Sequence, residues 1–392
     1  MFDVLPMPYM FQSFQFADAP FALIGQSSSL PAGSFPSGAF AYVQSTSALR
    51  NGFVEPNPKR NYVMQWNFSV QRQLASNLAL TVAYVGSRGV HQPFRADDID
   101  TVIPTLTPAG YLWPSPRGSG TRLNPNVGRI DALMWSSNSF YDALQVHVSK
   151  RMGHGVQLDG SYTWGRSIDE GSGSTQGDPF ANSISNQFYF DRSLRRGLSD
   201  FNVGQNLVIN YIWAIPTPHS FGGPAGWALG GWQLGGIFEA ATGLPFTPLI
   251  GGDALGLNSY SPYDFPTRLV GAGCGSAVNP GNVTSYIKLQ CFSFPNPSTL
   301  LGNTGRNSLP GPGLMDFDFS LVKDNYIKRI SENFNVQFRA EFFNVLNRAN
   351  FEAPLDNGTL FDQSGAPVGA AGSLDLTTNA AREIQFALKV IW

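Results

Sequence analysis

The last ten residues of the chain, Glu383-Ile-Gln-Phe-Ala-Leu-Lys-Val-Ile-Trp392, permit few structures. Counting back by twos from Trp392 gives Val390, Leu388, Phe386 and Ile384, all apolar. The other row reads Ile391, Lys389, Ala387, Gln385 and Glu383. Side chains alternate between faces along a β-strand, so the segment is predicted to be a strand with one apolar face. Two settings suit such a strand: the wall of a membrane barrel, with lipid on one side and a polar lumen on the other, or the edge of a soluble sheet.

The same period of two recurs upstream. Met64, Trp66, Phe68, Val70 and Arg72 alternate with Val63, Gln65, Asn67, Ser69 and Gln71; after a turn at 75–77, Leu78, Leu80, Val82 and Tyr84 continue the pattern. A second hairpin carries Asp142, Leu144, Val146, Val148 and Lys150, turns at Gly153-His-Gly155, and returns through Val156, Leu158, Gly160, Tyr162 and Trp164. A third uses Leu207, Ile209, Tyr211 and Trp213, a Pro- and Gly-rich connection at 216–230, then Trp232, Leu234, Gly236 and Phe238. A fourth uses Met315, Phe317, Phe319, Leu321 and Lys323, then Phe334, Val336, Phe338, Ala340 and Phe342. With the closing strand, about nine membrane-length strands of roughly 9 to 11 residues are expected. Residues 1–61 read as a loop-rich segment with at most one strand, near 10–16; residues 62–392 read as barrel.

Composition separates the two settings. Only 13% of the 392 residues are charged, about half the usual fraction, and 13% are aromatic. No run of 18 or more apolar residues occurs, so transmembrane helices are excluded, whereas strands hide their apolarity in alternation. A formal charge of -2 without basic clusters gives no support to nucleic-acid binding. Loop lengths alternate as well. Connections within hairpins are short or moderate, and those at 87–139, 166–202, 242–313 and 346–379 are long. Outer-membrane barrels keep short turns on the periplasmic side and long loops outside, which puts Trp392 at the periplasmic end. Arg72, Lys150 and Lys323 then fall near the periplasmic end of the apolar row and Asp142 at its outer end. These are the depths at which a charge costs least. Tyr84, Tyr162 and Trp164 form the outer aromatic belt, and Trp213, Trp232 and Trp392 the inner one. The fold expected is all-β, an antiparallel transmembrane β-barrel portion.

The segments Gln65-Trp-Asn-Phe-Ser-Val-Gln-Arg-Gln-Leu74, Val82-Ala-Tyr-Val-Gly-Ser-Arg-Gly89, Tyr141-Asp-Ala-Leu-Gln-Val146, Gly160-Ser-Tyr-Thr-Trp164, Arg196-Gly-Leu-Ser-Asp200, Gly231-Trp-Gln-Leu-Gly-Gly-Ile237 and Phe338-Arg-Ala-Glu-Phe-Phe-Asn344, with the closing strand, form an ordered series. This series resembles the C-terminal barrel half of TonB-dependent outer-membrane receptors. The nearest group is the Oar-like, carboxypeptidase-regulatory-domain-containing kind of acidobacteria. The closing row Trp392, Val390, Leu388, Phe386 and Ile384 likewise resembles the signal read by the barrel-assembly machinery. The resemblance covers residues 62–392 and implies a 22-stranded barrel with an N-terminal plug, energised through TonB for uptake across the bacterial outer membrane.

The start, Met1-Phe-Asp-Val-Leu-Pro, lacks the basic and apolar regions of a secretory signal, and neither a TonB box nor a plug is visible. About nine strands would leave two unpaired edges in lipid, each backbone group costing several kcal/mol. A fragment is therefore expected, closed by upstream strands in cis or by partners in trans. The partners expected are outer-membrane lipid, the barrel-assembly machinery and, only with a plug, the TonB complex.

Catalytic chemistry is not expected, nor is a cofactor or a structural metal. His91, His147, His154 and His219 lie in a loop, on a lumen position and in two turns, without metal spacing. Asp97, Asp98 and Asp100, or Asp169 and Glu170 beside Gly171, could hold calcium, but neither stretch matches an EF-hand and solvated loop acids are the preferred reading. Cys274 and Cys291 share one long loop, and an oxidising exterior favours a disulfide between them. The polar row carries Asp159, Glu239, Asp316, Asp318, Arg339, Glu341, Glu383 and Lys389. These side chains either pair and hydrate a lumen, or contact a plug, or line a cation path. Two functions stand: a receptor for energised nutrient uptake, or a non-transporting adhesin-like barrel or remnant. The residues single out no substrate among iron chelates, cobalamin, oligosaccharides and peptides.

Overall fold

The computed structural model describes residues 51–126, 128–173, 180–217, 223–259 and 262–392. The alternation at 10–16 and His219 lie outside the described residues. Among those described, nine long strands run in series as one antiparallel sheet: β1 (Tyr62–Ala75), β2 (Leu78–Ala96), β3 (Ile130–Gly153), β4 (Val156–Asp169), β5 (Gln205–Ala214), β6 (Trp232–Ala241), β7 (Leu314–Tyr326), β8 (Asn335–Phe343) and β9 (Glu383–Ile391). Each pairs with its neighbours in sequence, so a strand enters the sheet by folding back on the one before it. No helix among the described residues is long and apolar enough to cross a membrane.

Register turns the alternation of single strands into two continuous surfaces. Val70, Val82, Val146, Tyr162, Leu207, Ala240 and Met315 stand opposite one another in turn across seven strands. Further along, Tyr211, Gly236, Phe319, Phe342 and Ile384 do the same. Ser149, Asp159, Asn210, Ile237 and Asp318 form a line on the reverse face. The apolar face is open to the surroundings: Phe68, Phe386 and Leu388 are each about 70% exposed. Strands β1 and β9 are exposed throughout.

Two glycines in the recurring segments owe their place to this register. Gly86 stands opposite Trp66, and a Cβ there would meet the indole ring at 2.4 Å. Gly236 stands opposite Tyr211, whose ring would be 2.8 Å from a Cβ. In both cases an aromatic ring lies across the bare backbone of its neighbour, which joins the two strands by contact as well as by hydrogen bonds.

The structure corrects the strand lengths. β2 runs to Ala96 and β3 begins at Ile130, so much of the expected loop 87–139 is strand, and β4 continues to Asp169. Irregularities between Gly89 and Gln92, and again between Gln92 and Phe94, interrupt the β2–β3 register around Pro93, which has no N–H to give. His91 sits there with φ 52°, inside a strand rather than a loop. A strand at Asn51–Val54 pairs parallel with β3. The connection after β5 holds a short helix, α1 (Gly223–Leu229), where only a turn was expected.

A charge placed at mid-strand on the apolar face should be the most damaging surface change. Phe319→Arg is expected to lower stability in lipid by about 2–4 kcal/mol, and Ser320→Arg, on the reverse face, by less than about 1 kcal/mol. Urea midpoints in liposomes measure both.

Candidate binding site: the loop cap and the polar wall

The long connections all lie at one end of the sheet, and they fold there into a cap with cores of its own. The 242–313 and 346–379 connections share one core, in which Phe246, Ile250, Ile287, Cys291 and Leu360 are at most 1% exposed. A second core joins 97–129, 180–204 and 242–313 around Trp113, Phe188, Leu255, Leu257 and Phe265. Burial of each such side chain contributes about 1.5–3 kcal/mol. Edge-to-face and tilted ring contacts, such as Phe188 with Tyr263 at 5.5 Å and with Phe265 at 5.6 Å, order the second core. Trp113 donates its indole N–H to the Val102 carbonyl at 2.9 Å.

Arginines lock the connections together. Arg306, from 242–313, is buried and reaches Asp169 at 2.7 Å and Asp200 at 2.8 Å, both in the 166–202 stretch. It also donates to the Arg195 carbonyl at 3.2 Å. Beside it, Asn307 donates to Asp200 at 2.6 Å and to the Leu198 carbonyl at 2.7 Å. Burial opposes the Arg306 charge, but the two carboxylates outweigh it and hold the guanidinium above its ordinary pKa.

The acids considered for calcium are used in the same way, which corrects the reading of them as solvated. Asp98 and Asp100 are buried and paired with Arg122, which bonds Asp98 closely and Asp100 at 3.2 Å. Asp97 lies 3.3 Å from Arg95. Glu170 accepts two hydrogen bonds from Arg192, at 2.7 and 3.1 Å. These carboxylates are matched to guanidinium groups, and no group of three or more potential ligands able to hold a metal occurs among the described residues. Their positions could not be found from strand periodicity. Asp200 falls in one of the recurring segments, but its partner Arg306 lies 106 residues away.

Cys274 and Cys291 form a disulfide with Cα atoms 5.4 Å apart. Arg268 donates to the carbonyls of both, at 2.5 Å to Cys274 and 3.1 Å to Cys291, and its guanidinium lies 5.2 Å from the Phe292 ring centroid. Asp264 is a further buried acid without an arginine. One oxygen accepts from the Phe265 N–H at 2.6 Å, while the other has no hydrogen-bond partner among the described residues. Burial raises its pKa well above the ordinary carboxylate range.

Beneath the cap, the polar face bears the expected charges. Asp159 meets His147 at 3.0 Å, Arg339 lies 3.8 Å from Glu341, and Glu239 stands opposite Asp316. Glu383 and Lys389 are exposed on β9. Asp159, Asp318 and Glu341 line a hollow of about 390 Å³ together with Ile212, Ile237 and Phe343. On the apolar face, the Tyr84 hydroxyl donates to Asp142 at 2.6 Å and that of Tyr162 to Gln205 at 3.2 Å. Trp164 is 60% exposed beside them. At the opposite end, Lys150 donates to the Gly153 and Val156 carbonyls at 3.1 and 2.6 Å. Lys323 caps α1 by donating to Trp227 and Gly230 at 2.8 and 2.6 Å, and lies 5.3 Å from the Trp232 ring. Trp213 and Trp392 are exposed at that end, and His154 turns the β3–β4 hairpin with φ 53°.

Two substitutions test the cap. Arg306→Ala leaves two buried carboxylates without their cation and should cost about 3–5 kcal/mol; the expected sign is protease cleavage within 242–313 while the strands stay intact. Asp264 holds a proton in the folded cap that the unfolded chain releases, so its contribution to stability falls as pH rises above about 3.8. In thermal melts, Asp264→Asn should gain on the native protein as pH rises above about 3.8, the gain levelling off once the folded carboxyl also ionises.

The family model of the outer membrane beta barrel domain matches residues 5–385. No curated protein matches the sequence. Among solved structures, the chain is similar to the outer membrane transporter YddB from Escherichia coli, at 9% identity and a TM-score of 0.42, over 87% of this chain and 34% of that one. It is similar to the FrpB iron transporter from Neisseria meningitidis at 8% identity and a TM-score of 0.35, over 86% and 32%. It is also similar to the ferric-catecholate import receptor Fiu from E. coli K12 at 11% identity and a TM-score of 0.26, over 72% and 32%. The chain spans about a third of the length of each.

Proposed function

The chain belongs to the outer membrane beta barrel domain family, and from that premise we propose that it is part of a TonB-dependent receptor of the Oar-like kind, taking up a nutrient across the outer membrane. Family membership sets its location, the outer membrane, and its class, a barrel domain rather than an enzyme. The uptake reading is supported by the ordered recurring segments and by the asymmetry of the sheet, with the shorter connections at one end and a packed cap at the other. In this reading the cap faces outward and receives the ligand. The apolar face meets lipid, with Tyr84, Tyr162 and Trp164 at the outer interface and Trp213, Trp232 and Trp392 at the inner one.

The polar face is then the lumen wall. Its acids outnumber its bases, and the hollow at Asp159, Asp318 and Glu341 faces the space that a plug fills. The outer edges of β1 and β9 have no partner strand among the described residues. In hydrocarbon such edges must be paired, so further strands close the barrel. The row ending at Trp392 is the segment the assembly machinery reads, and the Cys274–Cys291 disulfide holds its part of the cap in shape, a constraint of about 3 kcal/mol on the unfolded loop.

Growth of a deletion strain on ferric chelates, cobalamin, oligosaccharides and peptides as separate nutrients tests the reading. The expected result is loss of growth on one class, with uptake abolished by a protonophore. Unchanged growth on all of them, with the cap still displayed at the surface, would support a non-transporting surface barrel instead.

A further inference from the structure

Two sets stand out among the arginines near the cap end. Arg95, Arg122, Arg129, Arg192 and Arg306 are each matched to carboxylates. Arg88, Arg166 and Arg196 are exposed and make no ion pair among the described residues. All three lie at the cap-side margin of the apolar face. Arg88 stands opposite Phe140 and Arg166 opposite Asp142, two positions along the same row of β3. The guanidinium carbons of Arg88 and Arg196 lie 4.9 and 5.8 Å from the Phe140 ring centroid, so two cations share one ring. Arg166 borders a groove of about 680 Å³ with Tyr84, Asp142, Trp164 and Gln205. Asp142, the acid in that groove, already accepts the Tyr84 hydroxyl.

We infer that Arg88, Arg166 and Arg196 bind the phosphorylated headgroup of a glycolipid of the outer leaflet. This rests on the orientation given above, in which the cap is outside and the apolar face meets lipid. A guanidinium presents a planar fork to phosphate oxygens, and cations at a membrane surface gain from anionic headgroups. Immediately below, Leu144, Val146 and Val82 continue the apolar row, so acyl chains attached to a bound headgroup lie along hydrocarbon-facing side chains. A free anion would use the arginines but gain nothing from that row, which favours the lipid.

The test uses the full-length protein purified from outer membranes in detergent and titrated with diphosphoryl lipid A, dephosphorylated lipid A or inorganic phosphate, bound lipid being counted by native mass spectrometry. The expected result is preference for the diphosphoryl form, no competition by millimolar phosphate, and at least an approximately tenfold loss of affinity in the R88A/R166A/R196A variant, with only partial recovery in the corresponding Lys variant, which restores the charge but not the fork. Equal binding by the Ala variant would overturn the inference, as would equal binding of dephosphorylated lipid A. Competition by phosphate as effective as by lipid would make this a free-anion site and overturn it too. A heat-modifiable band establishes that each variant is folded. Labelling of Leu106→Cys, exposed in the cap, by an impermeant reagent on intact cells reports orientation separately. No labelling would remove the orientation and the lipid site together; labelling with unchanged lipid binding would remove the lipid site alone.

Discussion

A slip of one residue in any ladder of this sheet would carry a row of Phe, Leu and Trp from one face to the other, because side chains alternate with a period of two. The rest of the structure depends on that register being held through eight successive pairings. It is held by backbone hydrogen bonds, which the interior of a bilayer makes obligatory. Side chains that fit only in register add to it: Trp66 over Gly86, Tyr211 over Gly236, and Phe338 stacked on Phe386 at 6.2 Å. At the turn end, Lys150 and Lys323 belong to the apolar row, yet their ammonium groups reach turn carbonyls. A charge on the lipid side is thereby spent on the strand connections instead of being left in hydrocarbon.

The sheet itself has little conventional core; Ala83, Ala143 and Ala340 are among its few buried apolar side chains. Its two faces are solvated by different media, and the packed interior lies in the cap. This division has a functional consequence. A wall whose faces are fixed by register supplies a rigid frame, and the cap above it is a folded body whose shape is set by rings, a disulfide and buried ion pairs. Arg306 and its carboxylates connect the 242–313 connection to the 166–202 stretch. A cap built this way keeps its form without being part of the sheet.

The wall was readable from sequence because alternation is a local property that each strand displays alone. The rows around Phe319 and Phe386 are each legible in one strand alone, and the register then sets Phe319, Phe342 and Ile384 side by side. The extension of β2 to Ala96 was not readable, because Gly89, His91 and Pro93 break the alternation where the ladder becomes irregular. Nor was the cap. Its apolar residues, such as Trp113, Phe188 and Phe265, come from separate connections and follow no period. Asp98 and Asp169 look like surface acids until arginines distant in sequence are placed beside them. Partners such as Asp200 and Arg306 meet only through the tertiary fold, and composition carries no trace of that.

Accessibility along β7 tests the central claim, that one face meets lipid and the other water, most directly. Single cysteines carrying nitroxide labels would be placed in turn from 315 to 323 in the membrane-inserted protein, and their relaxation by oxygen compared with that by a water-soluble nickel chelate. The account predicts alternation with a period of two, with 317, 319 and 321 favouring oxygen and 316, 318 and 320 favouring nickel. A smooth profile, or the opposite phase, would contradict it.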